Sequence, residues 1–277
     1  MGIRLSRLAT LSVVAALAQG AVAHAADVAP QIPPSPAPSG WTVTIGAELG
    51  WAPTFLGSKG SEFTGVPVGD IRKAGTPRQF KNPRDGFGFA IIDTPQFKAG
   101  PVANYVMGRW QKEDNALRGL GNVDFAFEAG AFLEYWWAPW LRTRGEIYQG
   151  FGGHDGLVGN LFADVVVPVT QKLTLSAGPR VSFATSTALS PYFSVTPSQS
   201  VTSGLPVYNV KGGVESYGAG AQVRYDWTQQ WATYVFVEYV RLTDSVANAP
   251  LVKRRGDPNQ TAVGLGVTYT FDVPGLW

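Results

Sequence analysis

The stretch Thr261–Phe271, with the sequence TAVGLGVTYTF, decides the fold class of this chain. Its large residues alternate with small or polar ones, and they would share one face: Val263, Leu265, Val267, Tyr269 and Phe271. A period of two is the period of a β-strand, because successive side chains leave opposite faces of the pleat. An apolar face opposed to a small or polar face is typical of a strand in an outer-membrane β-barrel.

Similar segments recur along the chain and predict twelve strands. They lie near residues 41–52, 66–73, 77–82, 86–93, 97–110, 122–137, 140–150, 157–168, 171–184, 214–227, 231–242 and 261–271. Ten strands would remain if residues 53–85 formed one long loop. Short and long connections alternate, as in barrels with tight periplasmic turns and long extracellular loops. The sequence therefore predicts an all-β fold, a closed antiparallel transmembrane β-barrel over residues 41–277.

The first 40 residues have a different composition from the rest. Residues 1–25 are predicted to be a signal peptide, with Arg4 and Arg7 before an apolar run and Ala23-His24-Ala25 as a small-x-small cleavage pattern. Residues 26–40 contain five prolines, which cannot donate to a sheet ladder and favour an extended chain. We interpret them as a periplasmic leader.

The composition also limits the function classes. There is no cysteine, so disulfides and thiolate metal sites are excluded. Charged residues make up 15% of the chain, whereas soluble domains carry roughly 25%; a lipid-facing exterior explains the deficit. Loss of Arg4 and Arg7 with the signal peptide would cancel the net charge of +2, so no nucleic-acid partner is expected. The expected location is the outer membrane of a Gram-negative bacterium, with outer-membrane lipids as partners.

Several motifs carry a resemblance to a known family. They are GFGGHDG at Gly150–Gly156, SPYFSVTP at Ser190–Pro197, SGLP at Ser203–Pro206, Gly178-Pro179-Arg180, and VTYTF at Val267–Phe271. Together they resemble the MipA/OmpV family over essentially the whole mature chain. The resemblance implies a non-enzymatic scaffold that brings a lytic transglycosylase and a penicillin-binding protein together in peptidoglycan remodelling. Other members imply the alternatives, a narrow porin-like channel or a surface adhesin.

Catalysis and metal binding receive little support. His154 is the only histidine after residue 25, and it stands beside Asp155 in a glycine-rich run of tight-turn composition. A general base would need a nucleophile within reach and a third group to orient it. A metal site would need further histidine or cysteine ligands. We therefore expect no catalytic residue, no metal and no cofactor.

Charged residues are predicted on the inner faces of the strands. Asp124, Glu128 and Glu134 share the polar face of 122–137, and the adjacent strand would place Arg142, Arg144 and Glu146 within about 5 Å of them. Arg180 and Arg224 would face the lumen from later strands. Because charge in a low dielectric must be paired, we favour a salt-bridged plug over the wall of a narrow solute path.

The long connection 185–213 is predicted to be ordered. It contains Pro191, Tyr192 and Phe193, and a freely solvated loop has little use for such aromatic residues. Loops longer than about 15 residues are usually functional or disordered. We expect a compact cap or lumen constriction at the extracellular mouth, beside Gly150–Gly156.

Overall fold

The structure is a computed structural model, and it describes residues 40–76 and 78–274. The predicted signal peptide and nearly all of the predicted leader lie outside these residues. The described part of the chain forms one antiparallel sheet of twelve strands. The strands are β1 (Gly40–Pro53), β2 (Ser61–Lys73), β3 (Phe87–Gly88), β4 (Ile92–Asp93), β5 (Phe97–Val106), β6 (Ala126–Ala138), β7 (Leu141–Gly152), β8 (Leu157–Pro168), β9 (Leu173–Ala184), β10 (Gly213–Asp226), β11 (Trp231–Leu242) and β12 (Asn259–Pro274).

The strand number agrees with the favoured prediction of twelve, but one predicted strand is wrong. Residues 78–82 form no strand, and Pro77 lies outside the described residues. The segment predicted at 86–93 contains two short strands, β3 and β4, of two residues each. The other ten strands have between 10 and 16 residues and form most of the wall.

The sheet curves into a nearly closed barrel. Its order runs from β2 through β1 and β12 down to β5, and both β3 and β4 pair with β5. β2 and β3 are thus the two edges of the sheet. The edges lie side by side at one level, where the Phe87 ring stands 3.3 Å from the point at which a Cβ on Gly69 would lie. The predicted all-β barrel is confirmed.

The alternation in β12 separates an outer from an inner face. Val263, Leu265 and Val267 are exposed on the outside of the isolated chain, whereas Thr268 and Thr270 are buried inside. The register places Leu265 opposite Leu49 of β1 and Val235 of β11, which are also exposed. The outer face is therefore a continuous apolar surface suited to lipid.

Tryptophans mark the end of the barrel that has the short connections. Trp137, Trp140, Trp227 and Trp231 are exposed beside the turns at 139–140 and 227–230. Amphipathic indoles at headgroup depth are typical of a membrane interface. Trp136 faces inward instead, and its Nε1 donates a hydrogen bond of 2.8 Å to Glu134.

The long connections meet at the other end and form what we call the cap, residues 54–60, 107–125, 153–156, 185–212 and 243–258. The cap contains α1 (Ser186–Phe193), α2 (Pro197–Ser203), α3 (Asp244–Ala247), a 3₁₀ turn at Asn115–Leu117 and a π-helical turn at Leu251–Arg255. None of the helices among the described residues is long and apolar enough to cross a bilayer. By the loop-length rule, the cap is predicted to be the extracellular end.

Candidate functional site: the lumen and its cap

The residues that replace the wrongly predicted strand cross the lumen. We call residues 78–86 the crossing segment. It enters from the end of β2 and contacts strands on the far side of the barrel. Asn82 Nδ2 donates to Asp164 Oδ1 of β8 at 3.0 Å, and Arg84 Nη1 donates to Glu238 Oε1 of β11 at 2.6 Å. Arg78 pairs with Asp226 of β10. The lumen is therefore constricted by the chain itself.

A tight turn shapes the crossing segment. The backbone N–H of Asn82 donates to Asp85 Oδ2 at 3.0 Å, and Asn82 Oδ1 accepts from the N–H of Arg84 at 3.0 Å. Asn, Pro, Asp and Gly favour turns because their side chains or backbone preferences replace strand hydrogen bonds. The run Asn82-Pro83-Arg84-Asp85-Gly86 carries this composition. This composition is a turn signal that the prediction of a strand at 77–82 did not use.

Arg142 of β7 is the centre of a buried charge network. Its side chain is 0% exposed. It donates to Asp85 at 2.6 Å, to Glu134 at 2.8 Å and to Asp164 at 2.9 Å. Three carboxylates from three parts of the chain thus share one guanidinium. Buried charge is tolerated only when it is paired in this way.

Two further arginines extend the network. Arg144 donates to Glu146 at 2.7 Å and to Glu134 at 3.2 Å. Arg180 donates to Asp164 at 2.6 Å. The structure therefore brings five of the predicted luminal charges together: Glu134, Arg142, Arg144, Glu146 and Arg180. Sequence reasoning did not include Asp85, which joins the crossing segment to this network.

The remaining predicted luminal charges lie elsewhere. Arg224 faces the lumen near the short connections and pairs with Asp226 at 3.1 Å. Glu128 faces inward, but its carboxylate contacts His154 of the cap rather than the charge network. The prediction is wrong for Asp124, which is exposed and precedes the start of β6 at Ala126. The alternation that predicted an inward position does not hold at Asp124, because β6 begins only two residues later.

A cavity of about 1610 Å³ lies against the crossing segment. Glu48, Arg224 and Tyr234 line it on the inner wall, and Gln96 and Pro139 line it at the short connections. Tyr234 donates to Glu48 Oε2 at 2.8 Å. Charged and polar groups therefore lie on the inner wall of the cavity, which is otherwise lined mostly by apolar surface, and the cavity reaches the predicted periplasmic end.

His154 joins the cap to the wall. Its Nε2 lies 3.0 Å from Glu128 Oε1, and its Nδ1 accepts from the N–H of Gly156 at 3.4 Å. Glu128 also accepts from Asn104 at 2.8 Å. Both ring nitrogens are therefore engaged by groups that hold the turn. The neighbouring Asp155 is exposed.

The predicted cap residues pack around α1. Phe193 is buried in an apolar cluster with residues of α3, and the Tyr192 ring lies 6.1 Å from His154 in an edge-on arrangement. Pro191 and Tyr192 offer their carbonyl oxygens to Arg109. The structure thus brings His154, Pro191, Tyr192 and Phe193 together, whereas Asp155 stays outside the group.

Two arginines of the cap were missed by sequence reasoning. Arg109 is buried, and burial lowers the pKa of its guanidinium to about 10 because water no longer solvates the charge. Arg255 donates to the carbonyl oxygens of Ala116, Arg118 and Ser203, and so ties three connections together. Neither has a periodic pattern around it, so only the packed structure identifies them.

The SGLP motif terminates α2. Thr196 begins the helix with a capping box to Gln199, and Pro197 occupies the first turn. Gly204 then adopts a φ of 72°, the left-handed conformation that ends helices and that glycine tolerates best. Leu205 follows into a second apolar cluster with Phe55, Leu117 and Leu251. The motif therefore orders the cap.

Comparison with protein-family models shows to which family the chain belongs. The model described as "MltA-interacting protein MipA" matches residues 45–271. The chain belongs to the MipA family. The match confirms the resemblance that the motifs indicated, and it covers nearly the whole barrel. No curated protein matches the chain.

Solved structures with a similar architecture include an outer membrane channel and two porins. An outer membrane channel from Pseudomonas putida F1 is 12% identical with a TM-score of 0.45, over 84% of this chain and 96% of that chain. The NanC porin is 9% identical with a TM-score of 0.40, over 82% and 98%. The KdgM porin is 10% identical with a TM-score of 0.38, over 83% and 99%. Such distant similarity carries no information on solute or partner.

The lumen and cap contain no evident metal site. No group of three or more His, Asp or Glu residues within 40–76 and 78–274 is arranged to hold a metal ion.

Proposed function

We propose that this MipA-family barrel is a non-enzymatic, narrow outer-membrane channel for small solutes, closed at rest by its crossing segment. The observation that carries the proposal is the position of residues 78–86 across the lumen, beside a cavity of about 1610 Å³ whose inner wall bears Glu48 and Arg224. A purely structural barrel of this size would need no such cavity behind its constriction.

The contacts of the crossing segment differ in strength along its length. The Asp85–Arg142 pair is almost fully buried, with side-chain exposures of 3% and 0%. The Arg84–Glu238 pair keeps 34% and 14% of its side chains exposed. Pairs that water reaches contribute little net stability, about 0–1 kcal/mol. We therefore expect the Arg84 portion to move while Asp85 stays fixed.

A crosslink across the lumen tests the channel. The chain has no cysteine, so the double variant Arg84→Cys with Glu238→Cys can be joined by a short bis-maleimide without side reactions. In planar bilayers we expect small conductance steps from the double variant, because the ion pair is lost, and their disappearance after crosslinking. The single variant Arg84→Cys with the same reagent is the matched control. Identical recordings before and after crosslinking would rule out a passage at this point.

The family resemblance implies a second candidate, a scaffold for peptidoglycan-remodelling enzymes such as a lytic transglycosylase and a penicillin-binding protein, and the matching family model is described as an MltA-interacting protein. Within residues 40–76 and 78–274, the predicted periplasmic end offers the short connections 94–96, 139–140, 169–172 and 227–230 and the start of the longer connection after β2. The expected contact region is therefore residues 26–39, at the start of the mature chain.

A pull-down separates this candidate from the channel. Detergent-solubilised envelopes should yield murein enzymes with the full chain and lose them when residues 26–39 are deleted, while conductance stays unchanged. Equal recovery with both chains would exclude the leader as the scaffold region.

A further inference from the structure

The two edges of the sheet do not pair along their full length. β3 pairs with Val102 and Ala103 of β5, and β4 pairs with Lys98 and Ala99. Toward the cap, no described strand lies between β5 and β2. The outer edge of β2 from Ser61 to Val68 therefore faces the edge of β5 from Asn104 to Val106 without a hydrogen-bonded partner among the described residues. We call this gap the seam.

The luminal cavity extends through the seam to the outside of the barrel. Its lining includes Tyr105 and Phe127, which pair with each other in register and are exposed on the outer face. It also includes Pro67, which is opposite Ala47 on the lipid-facing side of β1. The same cavity is lined on the inner wall by Arg224 and Tyr234. One continuous space thus connects lumen and membrane surface.

The seam lies at membrane depth. Trp51 and Phe63 form an edge-on pair with ring centroids 4.9 Å apart, on the outer face nearer the cap. Unpaired backbone groups do not face lipid directly, and at this depth they are tolerated where they line a water-filled cavity. Pro67 removes one donor from the unpaired strand, as prolines on edge strands do. The unpaired edges of β2 and β5 are therefore compatible with a water-filled opening in the barrel wall.

The chemistry of the seam changes from outside to inside. Val66 and Val68 of β2 alternate with outward Pro67 and point toward the lumen, and Phe87 bounds the lower end. At the inner rim, Lys81 Nζ donates to the carbonyl oxygen of Gly69 at 2.6 Å and lies 5.8 Å from the centre of the Phe87 ring. An apolar slot thus leads to an ammonium group.

Lys81 is available to a ligand. Its side chain is 35% exposed, and its ion pair with Asp70 is a long one, with 3.7 Å between Nζ and Oδ1. We propose that the seam is a lateral binding site for a single-chain amphiphile with an anionic head from the bilayer. The chain occupies the slot beside Val66 and Val68, and the head binds Lys81 in the lumen. Lys81 belongs to the crossing segment, but binding of the amphiphile is measured separately from conduction through the lumen.

Binding of a fluorescent fatty acid tests the site. The full protein in lipid nanodiscs is titrated with 11-(dansylamino)undecanoic acid and with its uncharged methyl ester. The variant Lys81→Met should weaken binding of the acid by about tenfold or more, because a charge-assisted hydrogen bond is lost. The affinity of this variant for the ester should change by no more than about twofold, since the slot is unchanged. Val66→Trp should abolish binding of both probes by filling the slot.

A remote substitution controls for general effects on the membrane surface. Leu265→Trp places the same indole on the exposed face of β12, away from the seam, and should leave binding of both probes intact. Heat-modifiable gel migration reports that each variant is folded. Two results would overturn the proposal. One is an equal loss of probe binding in Leu265→Trp and Val66→Trp; the other is a ratio of acid affinity to ester affinity that Lys81→Met leaves unchanged. A stable dimer that binds neither probe would overturn it too, because a strand of a second copy would then fill the seam.

Discussion

Asp85 of the crossing segment and Arg142 of β7 form an ion pair of 2.6 Å in which both side chains are almost completely buried. The pair joins the chain that crosses the lumen to the wall that surrounds it. Since Arg142 also bonds Glu134 and Asp164, the two residues connect the crossing segment to the whole buried network.

Removal of Arg142 should be strongly destabilising. Arg142→Met leaves Asp85, Glu134 and Asp164 without their shared partner. Breaking a buried pair in this way costs about 3–5 kcal/mol of unfolding free energy. Urea unfolding in lipid vesicles measures the loss. The control Arg224→Met removes a partly exposed guanidinium near the short connections and should cost clearly less. Similar losses in both variants would contradict the central role of Arg142.

The two faces of β9 should respond differently to a charge. Leu175→Arg puts a guanidinium on the lipid-facing side two residues after the start of β9, and should destabilise by about 1–2 kcal/mol, between the costs at the interface and at the midplane. Thr174→Arg, one residue earlier, points into the cavity and should cost much less. Folding into vesicles of defined lipid composition gives both values. Equal costs would argue against insertion in a bilayer.

The close contact between Gly156 and α1 should control the order of the cap. A Cβ at Gly156 would lie 2.1 Å from the backbone nitrogen of Ala188, so Gly156→Ala must displace α1. We expect rapid protease cleavage within 185–212 in this variant and resistance in the unchanged protein. Gly159→Ala is the matched control, because its Cβ would meet only the Glu146 oxygen, at 3.6 Å. Proteolysis of intact cells also tests the orientation, since cleavage of this segment only from the periplasmic side would reverse it.

The unchanged protein should conduct poorly. Wide aqueous channels appear in barrels of about 16 strands, and the crossing segment narrows this smaller one further. Planar-bilayer recordings should show small or absent steps. Replacing residues 78–85 by a Gly-Ser segment of equal length should increase the conductance several-fold. Large, stable steps from the unchanged protein would show that the segment does not close the lumen.

The strands of the wall could be predicted because their alternation is local. In β6, β9 and β12, the side chains of odd-numbered and even-numbered residues lie on opposite faces of the sheet. The same alternation places the Trp136 side chain inside the barrel, although the neighbouring tryptophans lie at the membrane interface. The crossing segment has no such period. Its partners Asp164 and Glu238 are 82 and 154 residues away from Asn82 and Arg84, and nothing in the sequence pairs them before the barrel forms.

Sequence reasoning also overextended one pattern. The alternation at 122–125 continues that of β6, yet the strand begins only at Ala126. Asp124 therefore belongs to the cap connection rather than to the lumen. Glu128, four residues later, keeps its inward position but serves His154 instead of the charge network.

The pairing of β1 with β12 has a consequence for assembly. Gly40 is opposite Pro274 in this ladder. One edge of β1 forms hydrogen bonds with β2, but the other edge stays unpaired until β12, the last strand of the barrel, has been synthesised. Contacts between residues so distant in sequence make folding slow, and a free edge invites pairing with other chains during that time. Until Asn259–Pro274 has been exported, the β1–β2 hairpin has to be kept apart from other unfolded chains. We therefore expect the ladder that closes the wall to make the folding of this protein sensitive to the supply of periplasmic holding factors.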